Sequence, residues 1–378
     1  MKNIVDIYLV LSFFIYIIAC AVIYMIAKDI LNFRFFKKVK AIKPKFEAEI
    51  LKQLSCVKNG TDISKMDISY VIEKLKYRPY IKVFNNTIEV FNKDINNHKY
   101  TKTYMENFED IVNRYVLKHK LKDNTLKTYM TINLGEYKLS NYEISEFLLS
   151  CINTKSIYLR VAALESISKI GNINTLKSAI EYVSKEEKYI NNKVFTDIIN
   201  QFGGDKSELD KYLINDLKEF NESFQKVIVE HFKNNKTTFV KEELLNILKD
   251  NISKEINISI VKYFTIIKYD ECKYIIIEFL KNGDWEYRAV CASALKNYKC
   301  ELSEQALLKS INDKNWYVRY NSAISILKFG DKDLINYILE NDDKYAKDIL
   351  FYAMFMDNKI SYEEYLEKLE EIEVEYQC

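Results

Sequence analysis

Ser156-Ile-Tyr-Leu-Arg-Val-Ala-Ala-Leu-Glu-Ser-Ile-Ser-Lys-Ile-Gly171 aligns without a gap on Asn315-Trp-Tyr-Val-Arg-Tyr-Asn-Ser-Ala-Ile-Ser-Ile-Leu-Lys-Phe-Gly330. A third copy, Asp284-Trp-Glu-Tyr-Arg-Ala-Val-Cys-Ala-Ser-Ala-Leu-Lys-Asn-Tyr298, keeps the arginine and the apolar positions but lacks the closing glycine. Counted from Arg160, Arg288 and Arg319, apolar or small side chains return at about +3, +4, +7 and +10, the buried stripe of a helix. Ser156, Asp284 and Asn315 stand where an N-cap accepts bonds from orphan backbone N–H groups. Gly171 and Gly330 stand where a left-handed C-cap closes the helix.

Weaker copies fit between these, with origins near Asn192, Glu222 and Lys254, so that successive origins lie 32, 30, 32, 34 and 31 residues apart. A unit of that size cannot bury its apolar face alone, and stacked neighbours close a shared core. The pattern resembles the HEAT-repeat family (HEAT/armadillo-like), whose paired antiparallel helices are joined by an Asp-rich turn leading into a Val-Arg pair. Asp313, Val318 and Arg319 match that motif best, while Thr154 and Asn282 hold the aspartate place in the other copies and depart from it. The resemblance implies that Asp313 and Arg319 take part in a hydrogen-bonded ladder between turns. With the apolar N-terminal stretch described next, the expected fold class is all-α: a single N-terminal transmembrane helix followed by a right-handed α-solenoid of HEAT-like helix pairs.

The transmembrane helix is read from residues 7 to 27, where no charge interrupts 21 positions. At ~1.5 Å per residue these cover a hydrocarbon core of ~30 Å. Lys28, Arg34, Lys37, Lys38, Lys40, Lys43 and Lys45 follow against Asp29, whereas Lys2 is the one base on the other side. The positive-inside rule therefore predicts that residues 28 onward are cytoplasmic. Phe33, Phe35 and Phe36 interleave with these bases, a composition that also suits an anionic bilayer surface. Ile17-Ile18-Ala19-Cys20 resembles a bacterial lipobox, and lipidation would make the protein an extracellular lipoprotein adaptor. The apolar run from Ala21 to Ala27 argues against that.

The expected organisation is a transmembrane anchor over 1–27, a basic juxtamembrane segment over 28–45, and a divergent helical region over 46–140. HEAT-like repeats follow over 141–332, then a helical C-terminal cap with an acidic end over 333–378. Within the divergent region helices are predicted near 46–57, 66–77, 104–118 and 124–133. The stretches 81–84 and 87–91 around Asn85-Asn86 also permit a hairpin, although helix is the expectation there.

With 56 basic and 54 acidic side chains and a net charge of +2, the chain has no global attraction for nucleic acid. Its seven cysteines (20, 56, 151, 272, 291, 300 and 378) form no CxxC pair, and Cys151 and Cys291 read as small hydrophobes on apolar helix faces. His98, His119 and His231 lack a second histidine at metal-ligand spacing and are expected to be surface or partly buried side chains. No phosphate loop, GxSxG or HExxH occurs. Some helical-repeat folds do host enzymes, notably DNA glycosylases and bilin lyases, through carboxylates or aromatic residues on a concave face. Here no catalytic, cofactor-binding or metal-ligating set is assigned, and the chain is expected not to be an enzyme.

The recurring aromatics Tyr158, Trp285, Tyr287, Trp316 and Tyr317 lie near the repeat arginines and form the candidate partner-binding row, with packing between repeats as the competing role. The functional expectation is a membrane-tethered cytoplasmic scaffold that binds protein partners. The resemblance implies an accessory subunit of an envelope or polysaccharide-synthesis membrane assembly. The alternative is a membrane-associated lyase or hydrolase with a pocket on the concave face.

Overall fold

The computed structural model describes residues 2–185, 190–251, 253–341 and 343–375, without the side chains of 2–10, 12, 373 and 375. Cys378 and the side chains of Glu373 and Glu375 in the acidic end therefore lie outside the described residues. Every regular element among the described residues is helical. The chain clusters into two units, Met1–Ala179 with Phe202–Gly204, and Ile180–Gln201 with Asp205–Cys378.

The first unit contains α1 (Lys2–Lys58), α2 (Lys65–Lys74), α3 (Arg78–Phe91), α4 (His98–Glu106), α5 (Glu109–His119), α6 (Asn124–Tyr137), α7 (Tyr142–Ile152) and α8 (Ile157–Ile170). Helix α9 (Ile173–Lys185) spans the division between the units. In the first unit α1, α3, α6 and α8 pack in succession, with α4 against α1, α5 against α6 and α7 against α8.

Helix α1 runs 57 residues and passes through Pro44, although an interior proline removes one backbone hydrogen bond and costs about 3 kcal/mol. The end of the helix is held from outside. Phe46, Ile50 and Leu54, spaced by four, are fully buried, and the Phe46 ring meets Tyr80 edge-on at 4.9 Å. The stretch that permits a hairpin is helical α3. Mid-helix Asn85 gives up its turn preference because tyrosines satisfy its amide: Tyr137 donates to Oδ1 at 2.6 Å and Nδ2 donates to Tyr129 at 3.0 Å.

The second unit contains α10 (Asn192–Asn200), α11 (Lys206–Asn215), α12 (Glu222–Asn235), α13 (Lys241–Asp250), α14 (Lys254–Ile266) and α15 (Lys273–Asn282). It continues with α16 (Trp285–Leu295), α17 (Glu301–Ser310), α18 (Trp316–Phe329), α19 (Lys332–Glu340), α20 (Lys344–Met356) and α21 (Tyr362–Glu375). The even-numbered helices α10 to α20 pack each against the next, and each odd-numbered helix from α11 to α19 packs against the even one that follows it. This is a repeat of helix pairs. Successive even helices begin 30, 32, 31 and 31 residues apart from α10 to α18.

Each motif arginine is the fourth residue of its helix, and its guanidinium folds back onto the turn before it. Arg160 donates to Thr154 O at 2.8 Å, Arg288 to Gly283 O at 2.7 Å, and Arg319 to Asp313 O at 2.8 Å. These carbonyls lie at or just beyond the end of the preceding helix, where intrahelical donors run out. The origins placed at Asn192, Glu222 and Lys254 are the first residues of α10, α12 and α14, so the sequence register of the middle copies is corrected by three residues. The fourth position of α12 is Gln225, whose Nε2 donates to Phe220 O at 2.7 Å, the same clamp from an amide. In α14 it is Asn257, bonded to the Asn251 side chain at 2.6 Å.

The expected ladder is corrected as well. The Asp313 carboxylate is taken by Arg288 of the preceding pair, through Nε at 2.7 Å and Nη2 at 3.0 Å, whereas the hydrogen bonds of Arg319 among the described residues go to the Asp313 and Lys314 carbonyls. Burial pushes the Asp313 carboxyl up, but the Arg288 fork and the Asn315 N–H outweigh it and hold it below its usual range. Val318 is buried beside them. Of the predicted N-caps, Ser156 accepts from Leu159 N and Asn315 from Tyr317 N. Asp284 makes no cap bond and pairs instead with Lys254 at 3.1 Å.

Small residues bring neighbouring helices close. Ser166 donates to Thr131 O at 2.7 Å and Ser325 to Ala292 O at 2.6 Å, each six residues beyond its motif arginine and each crossing to another helix. Gly171 and Gly330 both close their helices with positive φ, 78° and 67°. A Cβ on Gly171 would also lie 2.4 Å from Gly204 N, so Gly171 carries a close backbone approach that Gly330 does not.

Candidate functional site

The second unit gathers an aromatic strip from four helices. Trp285 of α16 stacks on Tyr317 of α18 at 6.2 Å, and Trp316 lies nearly parallel to Tyr320 at 5.1 Å and 8°. Tyr352 of α20 meets both Trp316 and Tyr320, at 5.8 and 5.7 Å, and passes the contact to Tyr365 of α21 at 6.0 Å. Trp285, Trp316 and Tyr317 remain 43%, 41% and 58% exposed, so they are both inter-repeat packing and accessible surface. Tyr287 leaves the expected row. It is buried against Phe279 at 5.1 Å, and its hydroxyl accepts from Asn257. Tyr158 is exposed in the first unit. Tyr320, Tyr352 and Tyr365 were missed by the motif reading because the last two lie beyond the repeat signature.

His231, expected as a surface or partly buried side chain, is fully buried. Its Nε2 lies 2.6 Å from Asp210 Oδ1 and its Nδ1 2.6 Å from Asn200 Oδ1, while Thr237 donates to the second Asp210 oxygen at 3.0 Å. This network ties α10, α11 and α12 together around a buried imidazole. Cys151, Cys272 and Cys291 are buried thiols, and burial pushes each above its ordinary range. Among the described residues no group of three or more His, Cys, Asp or Glu is placed to hold a metal ion.

The first unit contains a hollow that sequence reasoning did not find. Its volume is about 600 Å³, and it is enclosed by Phe35 of α1, the start of α3, the end of α5 and the length of α6. Lys76, Arg78, Lys82, Lys118, His119 and Lys122 line it, and no Asp or Glu does. The polar wall is a relay in which buried Tyr137 donates to Asn85, and Asn85 donates to Tyr129. Burial pushes the Tyr137 phenol far above its ordinary range, which keeps it a donor. Tyr115 donates to Leu75 O, and His119 Nδ1 lies 2.7 Å from Tyr115 O. The signal was present as charge runs, Lys74-Lys76-Arg78-Lys82 and Lys118-Lys120-Lys122, but only the packing of α3 on α6 and α5 on α6 turns them toward one space.

Among the described residues one helix is long and apolar enough to cross a membrane. It lies within Phe13–Lys58, with a mean hydropathy of 2.1 over its most apolar 18 residues, none of them buried.

No family model matches the chain, and no curated protein matches it. Fourteen chains of solved structures do. Among them is the complex of CpcE and CpcF of phycocyanin lyase from Nostoc sp. PCC7120, with 12% identity over 68% of this chain and 92% of that one and a TM-score of 0.28. So distant a likeness places no residue and assigns no activity. It does remove one expectation: the chain matched is part of a lyase, so the statement that this protein is not an enzyme is withdrawn. Fold and site together define an all-helical repeat protein. Its particular features are the exposed aromatic strip of the second unit and the basic hollow of the first.

Proposed function

We propose that this protein is a membrane-tethered HEAT-like scaffold, anchored through residues 7–27 with residues 28 onward in the cytoplasm, and that the aromatic strip receives a protein partner. The carrying observation is the half-exposed set Trp285, Trp316 and Tyr317, in which Tyr317 stacks on Trp285 and meets Trp316 edge-on. Large aromatic side chains dominate binding energy at protein interfaces. Stacking fixes their rotamers beforehand, so less entropy is lost when a partner docks. The anchor is supported by exposed Phe13, Ile15, Ile18 and Ile23 on α1, an apolar surface that calls for a non-aqueous phase. Tethering raises effective concentration, which lets a modest contact be occupied. The partner class proposed is an envelope or polysaccharide-synthesis membrane assembly.

The test is to place the photo-crosslinking residue p-benzoylphenylalanine at position 316 in the full chain, irradiate intact cells and identify the adduct by mass spectrometry. A protein adduct that fades when Trp285→Ala is added is the expected result. No protein adduct, together with a small molecule retained by the purified chain, would replace this reading with a second one. That second reading is a membrane-associated lyase or hydrolase acting in a concave pocket. It draws on the hollow of the first unit, where His119, Tyr115 and Tyr129 are groups able to hold or pass a proton.

A further inference from the structure

The geometry points to a binding site for a phosphate-bearing anion with an apolar portion in the hollow between α1, α3, α5 and α6. Four observations converge on it. Five basic side chains, Lys76, Arg78, Lys82, Lys118 and Lys122, face a space of about 600 Å³ into which no carboxylate projects. The chain as a whole has 56 bases and 54 acids, so an evenly mixed surface would have set acids among them. Elsewhere many lysines are paired, as Lys120 is with Glu146 at 2.8 Å, but none of these five makes an ion pair among the described residues. Like charges around one hollow repel, and an anion bound among them removes that repulsion.

The remaining wall fits the rest of such a ligand. Tyr129 accepts from Asn85 and keeps its own hydroxyl proton to donate, and the relay from Tyr137 strengthens that donation. Arg78 supplies a planar fork suited to two phosphate oxygens, with the lysines as point charges around it. Phe35, Ile81, Leu126 and Met130 give an apolar side on which a ring or an acyl chain lies. Phe35 stands eight residues after Ala27 on the same helix. That is ~12 Å of rise, which puts the hollow near the depth of lipid headgroups once α1 crosses a bilayer. The site itself stands whether or not the aromatic strip binds a protein.

A phosphodiester lipid headgroup and a soluble phosphate ester share this chemistry, and two probes separate them. The full chain in detergent micelles is titrated by calorimetry with short-chain phosphatidylglycerol, with glycerol 3-phosphate and, as a neutral control, with short-chain phosphatidylcholine. Saturable binding of at least one anion is expected, weakened tenfold or more by Lys82→Ala with Lys118→Ala and unchanged by Lys37→Ala with Lys38→Ala. Preference for phosphatidylglycerol assigns the site to a membrane lipid, and equal binding of glycerol 3-phosphate assigns it to a soluble ester; both support the proposal. Circular dichroism checks that the variant is folded, and the more conservative Tyr129→Phe, expected to weaken binding severalfold, is the second variant. Absence of saturable binding of either anion overturns the site. So does equal binding of phosphatidylcholine, or binding indifferent to the cavity substitutions.

Discussion

A guanidinium at the fourth position of a helix does two jobs here, and its neighbours decide how many are filled. Arg288 binds both the Gly283 carbonyl and the Asp313 carboxylate, whereas the Arg319 Nε is buried without a partner among the described residues. Asn341, three residues before α20, stands where Asp313 stands before α18. Asn341→Asp is therefore expected to build a second rung and raise stability by about 0.5 to 1.5 kcal/mol, read from denaturant unfolding; a loss of stability would contradict the repeat equivalence. Gly330→Ala should cost about 1 kcal/mol for left-handed backbone alone. Gly171→Ala should cost clearly more, because its Cβ meets the backbone of Gly204; equal melting temperatures would refute that close approach. The arginines and glycines were legible in the sequence because a clamp and a left-handed cap each demand a residue type. Gln225 was not, since an amide performing the same task breaks the pattern that a motif reading follows.

Among elements, α1 combines two environments in one helix. Its apolar early part is exposed, and its last turns are core of the first unit, where Phe46, Ile50 and Leu54 are fully buried. The apolar stretch was legible from hydropathy alone. The continuation through Pro44 was not, because it depends on packing against α3 and α4 rather than on local preference. Ile15→Lys combined with Ile18→Lys is expected to move the protein from the carbonate-resistant membrane fraction to the extract, as each charge at mid-bilayer costs about 3 kcal/mol. Retention of both in the pellet would count against a spanning α1. The hollow and the far end of the aromatic strip were illegible for a related reason. Their residues come from helices distant in sequence, and each run of bases or tyrosines taken alone reads as an ordinary solvated face.

For the whole molecule, buried thiols and phenols set the behaviour in alkali, and burial raises the phenols of Tyr104, Tyr137 and Tyr298 as it raises the thiols. Burial pushes Cys151, Cys272 and Cys291 up, Cys272 to about 11, whereas an unfolded thiol ionises near 8.5. The folded state then holds protons that the unfolded state has released. Their contribution is whole below about pH 8.5 and is lost as pH rises through the folded values. Lys138 acts in the opposite sense, since burial brings its ammonium down to about 8, but it stands against the three thiols and the buried phenols. The melting temperature should fall between about pH 9 and pH 11, and a flat profile there would contradict the burial of these thiols and phenols. The larger claim is that α1 holds the helical repeats against the cytoplasmic side of a membrane. Its most direct measurement is labelling of Tyr158→Cys, a position 82% exposed, with an impermeant maleimide in right-side-out and inverted vesicles. Labelling confined to inverted vesicles, with the chain resistant to carbonate, is the result the account requires. Labelling in right-side-out vesicles, or recovery of the chain in the soluble fraction, would contradict it.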